Sequence, residues 1–171
     1  MMVTVSPSGN TTTAVTYTPI FTYTVSGSAV SNFTWSSIPA TYTDLIIVTG
    51  MISSSGGNGM GVQFNSDTGS NYSFTYITGN GTSAASGRAS STTNGQIDRV
   101  AANGAGITHI MNYANTTTYK TILSRGNTSG EVFAWVNLWR STAAINTIKL
   151  FPNDSTNFNV GATFTLYGIG A

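Results

Sequence analysis

Chemistry has few places to sit in this chain. It contains one histidine, no cysteine and five carboxylates among 171 residues. His109 lies in an alternating stretch, and no Gly-X-Ser-X-Gly elbow is present to supply the nucleophile of a hydrolase triad. Asp44, Asp67, Asp98, Glu131 and Asp154 stand at no spacing that makes acid–base partners of two of them, although folding can bring distant carboxylates together. The lack of cysteine removes disulfides and thiolate metal sites. The expectation is a non-enzymatic protein with no catalytic residues, no cofactor and no required metal.

Two loops and one aromatic group imitate binding sites. Residues 65–71 (Asn65, Ser66, Asp67, Thr68, Gly69, Ser70, Asn71) set oxygen donors at alternate positions around a glycine, as calcium loops do. Calcium sites draw on several carboxylates and this loop has one, so it reads as a hairpin turn whose Asp and Asn side chains hydrogen-bond the backbone. The glycine-rich residues 56–61 lack the Lys-Ser/Thr end and the following helix of a phosphate cradle. Tyr72, Phe74, Tyr76, Trp135 and Trp139 could together stack a sugar. In β proteins such residues more often form core or subunit interface, which is the reading taken here.

The element that must position most of these groups is 131–140, Glu-Val-Phe-Ala-Trp-Val-Asn-Leu-Trp-Arg. With a period of two, Val132, Ala134, Val136 and Leu138 point one way, and Phe133, Trp135, Asn137 and Trp139 the other. Both faces are largely apolar. That predicts a central strand covered on both sides, with Trp135 deep in the core and Trp139 nearer an end or an interface. Residues 44–52 form the second strong strand, with Leu45 and Ile47 opposed to Ile46, Val48 and Ile52. In 107–113, Ile107, His109, Met111 and Tyr113 share a face, and 119–124 returns as a hairpin. Shorter strands are expected at 29–35, 60–64, 72–76, 97–101, 145–151 and 161–169. Residues 53–59 read as a Ser/Gly loop, and 79–94, polar and unpatterned, as a long exposed loop. Residues 1–16 read as an extended arm or edge strand, followed by the aromatics Tyr17, Phe21 and Tyr23. No stretch of ten or more residues carries a helical period. The whole predicts a single-domain, all-β sandwich over residues 17–171, jelly-roll-like, with about ten strands.

Composition limits the partners. Ser, Thr, Asn and Gly make up half the chain, yet aromatics reach 11% and charged residues only 6%, which is the balance of an ordered, turn-rich β protein rather than a disordered one. The six basic residues, from Arg88 to Lys149, form no stripe for a phosphate backbone, so no nucleic-acid partner is expected. The longest apolar run, 132–136, is far below the ~20 residues that span a bilayer, and the first residues lack the regions of a signal peptide. A soluble protein with no membrane partner is expected. A net charge of +1 leaves little self-repulsion and permits dense packing of copies.

Several strings stand out together. They are Tyr17-Thr18-Pro19-Ile20; residues 37–45, Ser-Ile-Pro-Ala-Thr-Tyr-Thr-Asp-Leu; residues 64–73, Phe-Asn-Ser-Asp-Thr-Gly-Ser-Asn-Tyr-Ser; residues 110–115, Ile-Met-Asn-Tyr-Ala-Asn; residues 138–145, Leu-Trp-Arg-Ser-Thr-Ala-Ala-Ile; and residues 164–169, Phe-Thr-Leu-Tyr-Gly-Ile. The set resembles a β-rich virion surface module of tailed bacteriophages, frequent in cyanophages and other aquatic phages, over residues 17–169. The resemblance implies no catalytic residues. It implies a capsid decoration (cement) protein or a tail-fibre protein. With about sixteen residues ahead of the match, a stand-alone decoration protein is the expectation: a homo-oligomer, a trimer, on the outer face of the major capsid protein lattice. A short tail fibre or knob that binds host surface glycan is the alternative.

Overall fold

The computed structural model describes residues 3–5, 11–13, 16–51 and 58–170. Parts of the 1–16 arm, of the 53–59 loop and of the 56–61 glycine run therefore lie outside the described residues. Fourteen strands follow in order: β1 (Val3–Val5), β2 (Thr11–Thr13), β3 (Thr16–Thr24), β4 (Phe33–Trp35), β5 (Asp44–Met51), β6 (Asn58–Phe64), β7 (Tyr72–Gly79), β8 (Ala84–Thr92), β9 (Gly95–Val100), β10 (Gly104–Ile110), β11 (Lys120–Asn127), β12 (Val132–Trp139), β13 (Ile148–Pro152) and β14 (Thr163–Gly170). No helix occurs among the described residues, and so none is long and apolar enough to cross a membrane.

Twelve of these strands form two antiparallel sheets. The large sheet has the order β3-β14-β5-β10-β11-β12-β7-β8, and the small one β4-β13-β6-β9; β1 and β2 pair separately. The expected all-β sandwich is what the chain adopts. The eight-plus-four division goes beyond the eight strands of a simple jelly roll, and the strand order does not establish that finer name.

Alternation decides which side of each strand is buried. Leu45 and Ile47 of β5, Phe164 and Leu166 of β14, Ile110 of β10 and Ile122 of β11 project from the large sheet, and Val62, Phe64, Ile148 and Leu150 meet them from the small one, all without exposure. Each such side chain gives about 1.5–3 kcal/mol relative to the exposed state, which makes this layer the main source of stability.

Four expectations are corrected. Residues 79–94 are not a loop: β7 runs to Gly79 and β8 pairs along it, with Arg88 opposite Thr75 and Gly87 opposite Tyr76. An edge strand with one neighbour needs only backbone hydrogen bonds, so its Ala, Ser and Gly side chains carry no pattern. Residues 65–71 are not a hairpin, because β6 pairs with β13 and β9 whereas β7 pairs with β12 and β8; the loop crosses between sheets. The 107–113 face breaks at Ile110, where the chain turns through Asn112 (φ 48°) and returns Tyr113 to the core. Finally, β12 is covered on one side only: Phe133, Trp135, Asn137 and Trp139 are buried, while Val132 and Val136 are 64% and 48% exposed.

Candidate functional site

The groups that could do chemistry are placed on two faces of the large sheet. On its inner face β9 lies across β10, β11 and β12 and brings polar side chains into the interior. Asp98 of β9 is 1% exposed; its Oδ2 accepts the Thr49 hydroxyl at 2.5 Å and its Oδ1 the Arg99 N–H at 2.7 Å. A Cβ on Gly106 would stand 2.1 Å from Asp98 Oδ2, so only glycine there leaves room for the carboxylate. Burial pushes the Asp98 carboxyl up to about 6, against the pull of its two hydrogen bonds. Beside it, Asn137 of β12 accepts the Gln96 N–H at 2.7 Å and donates to the Gln96 carbonyl at 2.8 Å, so one side chain satisfies part of the free edge of β9. Arg99 pairs with Glu131 at 2.9 Å, and Glu131 accepts the Thr78 hydroxyl at 2.7 Å. Folding thus brings Glu131 to the side chain of Arg99, the chain neighbour of Asp98. The Asp98 carboxyl is sealed from solvent, and the arrangement acts as a polar tie between the sheets.

The 65–71 loop is held by its own acid. Asp67 accepts the Gly69 N–H at 2.9 Å, the Asn71 amide at 3.1 and 3.0 Å, and the Trp139 indole N–H at 2.7 Å. Burial pushes the Asp67 carboxyl up, and the Trp139, Asn71 and Gly69 hydrogen bonds outweigh it and hold the group below its ordinary value. Oδ1 thus plays the backbone-bonding role expected of this loop through Gly69, while Oδ2 is held by the side chains of Asn71 and Trp139. Among the described residues no group of three or more His, Asp or Glu side chains converges as a metal site would require.

His109 meets a carboxylate that sequence spacing did not suggest. Its Nε2 lies 2.7 Å from Asp44 Oδ2, and Asp44 Oδ1 accepts the Asn112 N–H at 2.7 Å. The two residues sit on neighbouring strands, where β10 runs beside β5, and their acid–imidazole pair fixes the turn after β10. Among the described residues no hydroxyl completes it into a triad.

The five aromatics do share one sheet face, and they divide in two. Tyr72 and Trp139 are buried beside Phe64, with ring centroids 5.3 Å apart for Phe64 and Trp139. Trp135 packs on Tyr76 at 4.4 Å and Phe74 at 5.3 Å, and those two rings are half-buried where β7 and β8 reach past the small sheet. A Cβ on Gly87 would strike the Tyr76 ring at 2.7 Å, so that ring lies flat on β8.

The outer face of the large sheet has no second layer. Ladder register puts Ile46, His109, Leu123, Val136 and Thr75 in one row across it, and Val48, Ile107, Arg125, Ala134 and Ile77 in the next. Val48, Leu123, Val136, Ile77 and Val132 are all more than a third exposed. Shallow grooves cross this face; one of about 650 Å³ is lined by Ile77, Val132 and Ala134, and one of about 510 Å³ by Val48, Ile107 and Val132. An aliphatic sheet face open to water is the arrangement associated with protein contact. The chain matches no family model, no curated protein and no solved structure, so its fold and its site stand on its own residues.

Proposed function

We propose that this chain is a structural module of a bacteriophage virion, a capsid decoration (cement) protein that sits on the outer face of the major capsid protein lattice and stabilises the shell by bridging capsomers. The observation that carries the assembly role is the uncovered aliphatic face of the large sheet, since a protein that works alone gains nothing from leaving Val132, Val136, Leu123 and Ile77 in water. The resemblance in sequence supplies the virion. The sealed carboxylate Asp98 and the structural duties of Asp67 and His109 fit a chain without catalytic residues. A homotrimer would suit local threefold points, where three weak contacts act together. Its seam falls on the β3 edge, which presents the exposed rings of Tyr17 and Phe21 beside unpaired backbone.

Undecorated tailed-phage shells mixed with the purified chain test this. Saturable binding at hundreds of copies per particle is expected, with weak affinity for unassembled capsid protein. Binding to host cells and not to shells overturns it. That outcome would favour a fibre or knob, for which the half-buried Phe74, Tyr76 and Trp135 cluster offers a surface on which a sugar can stack.

A further inference from the structure

The few charges of this chain are sorted by face. Three of its six basic side chains are taken up by its own contacts. Lys120 is buried and donates to the carbonyls of Asn115, Thr118 and Thr142 at 2.7, 2.9 and 3.3 Å; Arg99 pairs with Glu131; Lys149 lies over the Phe151 ring. The other three, Arg88, Arg125 and Arg140, are exposed, and all three lie on the outer face of β11, β12, β7 and β8. Arg125 stands opposite Ala134 and Arg88 opposite Thr75, both outward positions, and Arg140 donates to the outward Ser73 hydroxyl at 3.0 Å. A groove of about 590 Å³ runs between Arg88 and Arg140 over Val136 and Leu138. No carboxylate shares this half of the sheet: Glu131 turns inward to Arg99 and Thr78, and Asp44 is on β5, bound to His109.

We infer that this half-sheet docks on an acidic, apolar surface of a different protein. The inference rests on the reading of the chain as an assembling module and names the chemistry of its partner. A second copy does not fit. Face to face it would set arginine against arginine, and like charges across an interface cost several kcal/mol. Elsewhere a copy offers no acidic cluster either, because its five carboxylates are dispersed and each is engaged within its own chain. Nucleic acid fits poorly, since this face presents Val, Leu and Ile where single strands call for aromatic platforms. Four strands at ~4.8 Å spacing, each about eight residues long, project roughly 500 Å². That is below the ~800 Å² per partner of a standard interface, so one copy binds weakly and an oligomer firmly.

The test titrates the isotope-labelled whole chain with an end-capped peptide in which Glu alternates with Val. The same peptide with Gln for Glu, a heparin oligosaccharide and oligothymidylate serve as comparisons. Amide shifts confined to β11, β12, β7 and β8 are expected with the Glu peptide, weakening with salt. Binding should fall at least about tenfold in the triple variant Arg88→Gln, Arg125→Gln, Arg140→Gln, with melting unchanged. If that variant does not fold, Arg125→Glu alone must still weaken binding. Four results would overturn the inference: no shifts with the Glu peptide, equal binding of the Gln peptide, undiminished binding by the folded variant, or tighter binding of either polyanion to the same face. The decoration reading fails separately, when shells ignore the intact chain while the peptide result stands.

Discussion

The two faces of strand β12 were built from similar residues and ended in opposite surroundings. Its inward side holds Trp135, Asn137 and Trp139 under the small sheet, and its outward side leaves Val132 and Val136 in water. Hydrophobicity alone does not separate them; the presence of a second layer does. The inner face is where the stability of the monomer resides, and the outer face is where the molecule has apolar surface to spare.

The largest expected effect belongs to the inner face. Trp139→Ala should cost about 3–5 kcal/mol, because the ring packs on Phe64 and Tyr72 and its N–H anchors Asp67. Trp135→Ala should cost less, roughly 2–3 kcal/mol, since its neighbours Tyr76 and Phe74 are half-exposed and its indole N–H has no partner among the described residues. This reverses the order expected from the sequence. Equilibrium unfolding in urea of both variants checks it, and a larger loss for Trp135→Ala would break the division of the inner face.

Next comes the pH dependence of the polar tie. The Asp98 carboxyl is raised from 3.8 to about 6 in the folded chain, so the native state holds a proton that the unfolded state has lost. Stability from this group is therefore greatest below about pH 4, falls as pH rises through the interval to 6, and is flat above; the span is on the order of 3 kcal/mol. Asp98→Asn keeps an acceptor for the Arg99 N–H, reverses the Thr49 contact so that the amide donates to the hydroxyl oxygen, and should flatten that slope. Denaturation midpoints from pH 4 to 8 read the difference, and identical slopes in both proteins would remove Asp98 as its source.

The smallest expected effect lies on the outer face. Val132→Thr and Val136→Thr keep the β-branched shape and should change monomer stability by no more than about 0.5 kcal/mol. The same pair should weaken attachment of the chain to shells. A loss of stability comparable to that of Trp135→Ala would mean that the outer face is already covered within the monomer.

Strands with strong alternation were legible in the sequence because burial on one face imposes it. The β5, β12 and β14 patterns each group the residues that share a face, down to Leu45 with Ile47 and Phe164 with Leu166, and leave open which face turns inward. The β8 strand was not legible, since a partner on one side and water on the other ask little of its side chains. Tyr113 was placed on the His109 face by counting in twos, and the count fails where Asn112 turns the backbone. Nor could spacing foresee that Asp98, 49 residues from Thr49, would be sealed between Thr49 and Gly106.

By itself, then, the order of residues determined local conformation: which segments extend, which way their apolar side chains alternate, and which loops carry their own acceptors, as Asp67 does for Gly69 and Asn71. Local conformation is set within a few residues, where sterics and short hydrogen bonds act. The tertiary structure alone decided that the small sheet covers one face of the large sheet and leaves the other bare. It also decided that Arg88, Arg125 and Arg140 stand together on the bare side. Those outcomes depend on pairings across many tens of residues, and the alternation within a strand is the same whichever face receives the second layer.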